Sequence, residues 1–510
     1  MSPVAGAGSS ADGRVPRARW VVRGLLLFLL AFANLNDIWS PDVVPNALLS
    51  WTLLREGDVD YDEFADGGSP DAIAGVPGHM PIPRGTYFFR ACRLSSSGTL
   101  VFYRQPRSPE SPPPLVVYPQ PRSPGSPPPP GPNDQVCSIF PPGIGLLALP
   151  VLAPFVVLGA DPLDGSTVVR LGHLAAALIE TLAALLLWSV VARFASARWA
   201  VALVLLYWLA TSVRTVASHA LWQHAGVHLA IAAALWLVLH ERAVPLRREL
   251  VGAVALGFGV VVRQTTAVVG LAMFRVGRRP LRERLALLAA MGLGALPLVL
   301  YSAIAFGSPL EQGYGEKPFD GPLALGIYGL LLSPSRGLLV YEPYLVFGLA
   351  ALALAWRRPG LVAERLRDLS LSWVALLILY AGYAEWWGGR VFGPRFLDDL
   401  APVLFAALAW GIGQGLLSRV WARIAFAVAA AWSLLLFNVA ALVYDPNGWD
   451  TVPLNVNFHP DRLFDWSDPQ WLSVLVSLGS ADTRVLTAAL LSALMLALLL
   501  HLELAKSGRG

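Results

Sequence analysis

The chain has 510 residues, of which 55% are hydrophobic and 14% charged, with a formal net charge of +4. At a mean hydropathy of +0.56, it has too few charges to dress a soluble surface of that size, which excludes an ordinary water-soluble globular fold. The small positive excess lies in loops between apolar runs, so it does not read as a nucleic-acid footprint.

Residues 1–19 form a basic N-terminal segment ahead of an apolar run at 20–38. That run lacks an A-x-A-like cleavage site and ends in an Asn/Asp/Trp cluster, so it is expected to stay as a span and not to leave as a signal peptide. Further apolar runs follow at 165–192, 198–213, 222–240, 249–262, 264–276, 285–306, 338–356, 370–384, 396–417, 420–443 and 483–503. Taken as helices crossing a hydrocarbon core of roughly 30 Å, they make about twelve spans. The expected fold class is an all-α polytopic membrane protein with a transmembrane domain over 20–503 and a tail at 504–510. Arg14, Arg17 and Arg19 precede the first span with Arg23 at its very start, and Arg242, Arg247, Arg248, Arg278, Arg279, Arg282, Arg284, Arg357 and Arg358 crowd alternate loops. The positive-inside rule puts these loops in the cytoplasm. The loops 39–164, 214–221, 307–337, 385–395 and 444–482 then face outward in a cell membrane, and function is sought there.

The first outer loop, 39–164, opens on SPDVVPNALLSWTLLREGD, residues 40–58. Val44, Ala47, Leu48, Trp51 and Leu54 share one face at helical spacing while Asn46, Ser50, Arg55 and Glu56 mostly point elsewhere, which predicts an amphipathic helix lying on the membrane. Asp42 at its head is either a base held at the bilayer surface or, with Ser40, a cap for free backbone amides. Residues 104–133 are dominated by Pro, Ser and Gly, with PRSPESPPPLVVYPQ followed by PRSPGSPPPP. Polyproline extension or disorder is expected, as a tolerated insertion or as a ligand for a proline-recognition partner. Cys92 and Cys137, the only cysteines, flank this insertion and either bridge in an oxidising compartment or stay as free thiols.

SIFPPGIGLLALP, residues 138–150, returns the chain to the membrane, with Pro142 suited to a first helical turn. SHALWQHAGVHL, residues 218–229, sets His224 and His228 one turn apart with His219 nearby, a spacing that suits a metal but lacks an acidic partner in sequence and equally fits an interfacial aromatic belt. In LLSPSRGLLVYEPYL, residues 331–345, Arg336 stands on an outer turn with Tyr341 and Glu342 entering the next span. AEWWGGRVFGPRFLDDLAP, residues 384–402, gathers Glu385, Trp386, Trp387, Arg390, Arg395, Asp398 and Asp399 around glycines. Its plain reading is an aromatic anchor with Arg395 paired to Asp398 or Asp399; its functional reading is a site for an anionic substrate.

An acidic residue opening a helix that closes on Gly57-Asp58, a return through Pro141-Pro142 and a late G-P-R-F-L…P segment from Gly393 to Pro402 together resemble the GT-C superfamily of polyprenyl-phosphate-sugar-dependent glycosyltransferases. The protein O-mannosyltransferases and lipid A aminoarabinose transferases are the most similar groups. The resemblance implies that Asp42 acts as general base and that Arg395 lies near the lipid phosphate. Two departures stand out. Val43 occupies the place of a second acidic residue found in many members, which leaves no carboxylate pair for a divalent metal, and Phe140 stands where many place a basic residue or His. No cofactor is expected.

The chemistry this implies is inverting transfer of a sugar from a polyprenyl phosphate to a hydroxyl on a lipid, glycan or protein acceptor. Such a reaction needs a base for the hydroxyl and cations for the departing phosphate. Arg336, Arg395, Arg390 and Arg263 are the expected phosphate ligands, and Trp386, Trp387, Glu385, Tyr341 and His224 the expected pocket walls. A transporter or flippase for a lipid-linked or anionic substrate is the main alternative, since broken helices and intramembrane charge also mark transport paths. A catalytically inactive scaffold on the same fold is a third.

Overall fold

The computed structural model of the chain describes residues 17–36, 38, 40, 42–65, 82, 88–92, 131, 134–275, 278–314 and 319–504. Most of the Pro-rich insertion, residues 1–16 of the basic segment and residues 505–510 of the tail lie outside the described residues. Its regular structure is almost wholly helical: α1 (Arg17–Phe32), α2 (Val44–Trp51), α3 (Gly143–Val157), α4 (Gly165–Val191), α5 (Ala197–Leu209), α6 (Gln223–Val238), α7 (Leu246–Val262), α8 (Thr266–Met273) and α9 (Leu281–Phe306). Then come α10 (Leu323–Leu332), α11 (Leu338–Tyr341), α12 (Val346–Ala355), α13 (Leu361–Gly382), α14 (Arg395–Asp398), α15 (Ala401–Gly413), α16 (Val420–Val443), α17 (Gln470–Ser477) and α18 (Thr483–Leu504). A two-stranded antiparallel ribbon, β1 (Phe89–Ala91) and β2 (Val136–Ser138), carries the Cys92–Cys137 disulfide beside it.

Helix falls within every expected span, yet among the described residues four helices are long and apolar enough to cross a membrane: α4, α9, α16 and α18. The segment 264–276 illustrates the difference, for α8 has 8 residues and so extends about 12 Å, less than half a hydrocarbon core. The run 338–356 is broken after Tyr341, where Pro343 has no N–H to continue the ladder, and 396–417 is broken between α14 and α15. Polar groups gather at these breaks: Glu342, Asp398 and Asp399 all sit there, and all are buried.

Long helices pack where small residues let backbones close up. α7 runs along α9, and a Cβ on Gly257 would stand 2.1 Å from the Met291 carbonyl oxygen, as one on Gly294 would from that of Val254. Reciprocal glycines at a helix crossing are a device for packing in lipid, where hydrophobic burial alone does not drive helices together. On the far sides of α9 and α18, leucines such as Leu293, Leu300, Leu490 and Leu494 are exposed, an apolar surface fitted to a bilayer.

Ion pairs lie at both ends of this bundle. At one end Arg279 reaches Glu249 at 2.7 Å and Arg365 also grips Glu249, tying the starts of α7, α9 and α13, while Arg23 in the first half of α1 meets Glu503 at the end of α18 at 2.7 Å. At the other end the loops expected to face outward touch one another: Arg90 bonds Glu311 at 3.1 Å, Arg336 bonds Asp450, and Arg390 donates to Asn447 at 3.2 Å.

The helix after Asp42 corrects an expectation. All of α2 is buried, Asn46 and Ser50 included, with only Leu54 beyond it exposed among the apolar positions named above. It packs against α3 and α4, so its polar face is not turned to water as an amphipathic surface helix would turn it. Its Asn46 is satisfied within the chain: Asn46 Nδ2 donates to the Asp42 carbonyl at 3.1 Å and to the carbonyl of Leu221, in the connection before α6, at 2.9 Å. Periodicity over two turns could not separate a surface helix from one with polar partners inside.

Candidate functional site

Asp42 stands just ahead of α2, and Val43 holds the N-cap position with no side-chain cap. The capping reading is therefore overturned; Pro45 in the first turn removes one amide that a cap would have served. Freed from that duty, the carboxylate turns to Arg395, whose Nη1 lies 3.7 Å from Oδ2, with 25% of the Asp42 side chain and 13% of that of Arg395 exposed. Trp222 lies beside it. Burial raises the Asp42 carboxyl above its ordinary 3.8, while the guanidinium groups of Arg395 and Arg390 pull the other way.

Arg395 opens α14 after a loop with three left-handed glycines, Gly388, Gly389 and Gly393. Gly388 is needed for space as well as for φ, because a Cβ there would meet Arg395 Nε at 2.9 Å. Among the described residues that Nε is buried with no hydrogen-bond partner. A guanidinium with one long ion pair and an unused buried donor keeps hydrogen-bonding capacity that an anion could use.

Beside it, Arg263 leaves the end of α7 in extended backbone, φ −154°. Its Nη1 lies 2.9 Å from Asp399 Oδ2, and its guanidinium stacks over the rings of Phe396 and Tyr380 at 4.9 Å and 5.4 Å. Asp399 also accepts from Tyr380 Oη at 3.1 Å, and its Oδ1 meets His224 Nδ1 at 2.7 Å. Tyr314 sits within the electrostatic reach of Asp42, Arg263 and Arg395, and Gln223 Nε2 reaches its hydroxyl at 3.2 Å. The plain reading of Arg395 as the partner of Asp398 or Asp399 is thus replaced: Asp399 takes Arg263, and Asp398 accepts from the Ser212 amide at 2.7 Å.

The histidines acquire the acidic partners that the local sequence lacks. His228 Nδ1 meets Glu180 at 3.0 Å and its Nε2 the Asp398 carbonyl at 2.8 Å, while Tyr207 donates to Glu180. His224 and His228, one turn apart on α6, therefore grip consecutive residues of the segment that carries Arg395. Among the described residues no group of three or more His, Cys, Asp or Glu side chains is placed to hold a metal.

Other expected site residues lie elsewhere. Arg336 is 1% exposed and bound to Asp450, to Gln470 at 2.8 Å and to the Gly389 carbonyl at 3.2 Å. Its charge is spent on Asp450, so it braces the glycine loop and is not an open phosphate ligand. Tyr341, fully buried, packs on Phe392 and Phe437 and does not line an open pocket. Trp386 packs on Phe464, Trp387 donates to Asn457 at 3.2 Å, and Glu385 accepts from Tyr383 at 3.3 Å. Sequence reasoning missed Trp222, Gln223, Tyr314, Tyr380 and the role of Asp399. The first three lie in or next to the loops expected outside, but nothing in their local pattern marked them.

Compared with models of known families, with curated proteins and with solved structures, the chain matches none.

Proposed function

We propose that the protein is an inverting membrane glycosyltransferase that moves a sugar from a polyprenyl-phosphate donor to an acceptor hydroxyl, at the end of the bundle where Asp42 and Arg395 meet. The observation that carries the reading is this pair: a partly open carboxylate 3.7 Å from a guanidinium that keeps an unused buried donor. The donor phosphate would replace Asp42 as the partner of Arg395, with Arg263 and Arg390 adding charge. Asp42, released, takes the proton of the acceptor hydroxyl. The acceptor oxygen bonds to the anomeric carbon as the carbon–phosphate oxygen bond breaks, and its electron pair leaves on the polyprenyl phosphate, inverting the anomeric centre.

The arginine asymmetry and the Cys92–Cys137 disulfide both favour an outward-facing site in a cell membrane with about twelve spans. Broken and short helices count among those spans where neighbouring helices satisfy their free backbone groups. A second reading, a transporter for a lipid-linked or anionic substrate, draws on Glu180, His228, Glu342 and Asp398 buried among the helices. Purified protein incubated with several radiolabelled polyprenyl-phosphate sugars and membrane extract tests the first reading. Label appearing in a new glycoconjugate supports it. Label that only crosses the bilayer of proteoliposomes supports the second and sinks the first.

A further inference from the structure

Two carboxylates serve the arginines of this site, and they are held very differently. Asp42 has one long ion pair, with Arg395, and keeps a quarter of its side chain open. Asp399 is 2% exposed and has both oxygens filled: Oδ1 by His224 at 2.7 Å, Oδ2 by Arg263 at 2.9 Å and by the Tyr380 hydroxyl at 3.1 Å. The cage is braced from behind, because Tyr380 Oη also bonds Thr265 Oγ1 at 2.9 Å. Its members come from α6, the α7–α8 connection, α13 and the α14–α15 break, four parts of the chain converging on one acidic group. The Phe396 and Tyr380 rings, stacked at 4.8 Å, floor the guanidinium.

We propose that Asp399 is a positioning residue of this site: its three-donor cage fixes the Arg263 guanidinium where it meets the donor phosphate. The proposal rests on the glycosyl-transfer reading. Division of labour is its physical content. A tight, desolvated pair keeps one cation in place at all times, so no reorganisation is needed when the phosphate arrives. The loose Asp42–Arg395 pair opens instead and supplies the base. If Asp399 acts only through Arg263, removing it must matter only while Arg263 is present.

The test is a double-mutant cycle on the full-length protein in detergent or proteoliposomes, using a polyprenyl-phosphate sugar that wild type transfers. Wild type, Asp399→Asn, Arg263→Gln and the double variant are compared for KM of donor, KM of acceptor and kcat. Asp399→Asn is expected to lower kcat/KM for the donor by on the order of 100-fold, mainly through the donor KM, with the acceptor KM unchanged. The double variant should be no worse than Arg263→Gln alone. Additive losses, or an unchanged donor KM in Asp399→Asn, overturn the proposal and leave the glycosyl-transfer reading standing. Should Asp399→Asn not fold, Tyr380→Phe replaces it, since it removes one donor and no charge. Its smaller rise in donor KM should vanish in the Arg263→Gln background, and equal donor KM for Tyr380→Phe and wild type overturns the proposal. Wild type that transfers sugar from no donor overturns the transfer reading and the positioning role with it.

Discussion

At the scale of single residues, the proposed role of Asp42 would link activity to pH through the sign of its shift. Burial raises its carboxyl above the ordinary 3.8 in the folded protein, against the pull of Arg395 and Arg390. The folded state therefore binds this proton more tightly than the unfolded chain, so Asp42's contribution to stability is present below 3.8 and is lost as pH rises through the raised value. Transfer runs the opposite way, since a base must be ionised, and its acid limb should fall at the raised value. Asp42→Asn should cut turnover by about 100-fold or more while leaving donor binding in place. It should also be more stable than wild type at neutral pH, with the difference fading in acid, as thermal unfolding across pH would register. Wild-type turnover in that variant would remove Asp42 from the chemistry. The two arginines expected to act alike should now separate. Arg336→Ala strands Asp450 in the interior and should cost about 3–5 kcal/mol of stability. Arg395→Ala breaks only a long, partly exposed pair and should cost within about 1 kcal/mol while raising the donor KM. Unfolding and donor-binding measurements on both decide the matter, and equal destabilisation would refute the division.

At the scale of elements, glycine pairs and the ribbon carry the predictions. Gly257 and Gly294 let α7 and α9 touch backbone to backbone, so Gly257→Ala or Gly294→Ala must push the helices apart and should destabilise by about 1–3 kcal/mol. Because Arg263 leaves α7 directly, such variants should lose transfer activity before they lose the fold, a shift that activity at rising temperature would show. Gly292 on α9 has open space at its Cβ position, and Gly292→Ala is the control that should do neither. In the ribbon, Arg90 pairs in register with Cys137 and its side chain holds Glu311 at 3.1 Å, so the disulfide backs a contact between the first loop and the segment after α9. Replacing both Cys92 and Cys137 by Ser should cost about 2–4 kcal/mol. Identical unfolding of the oxidised protein and the double Ser variant would show that the bond adds nothing.

At the scale of the whole molecule, topology is the prediction: a cysteine at Leu310, which is 87% exposed, should react with an impermeant maleimide in intact cells, and one at Arg282 should not. The reversed pattern would put the Asp42 site in the cytoplasm and end the case for an outward-facing enzyme. What the sequence by itself determined was the part of the fold written locally. Apolar runs specify where helices lie and Pro343 specifies a break, because hydropathy and backbone chemistry each act within one segment. The same local information placed Asp42 and Arg395 in loops on one expected face. It did not determine their partners. Whether α2 turns its polar face to water or to other parts of the chain, whether Arg336 is open or buried on Asp450, and which carboxylate takes Arg263 are questions of contact between residues far apart in the chain. His224 and Asp399 are 175 positions apart, and Arg336 and Asp450 are 114 apart. Only tertiary packing decided those, because the strength of a buried charge pair depends on which groups replace the water each charge loses, and that is set by distant segments that meet only in the folded chain.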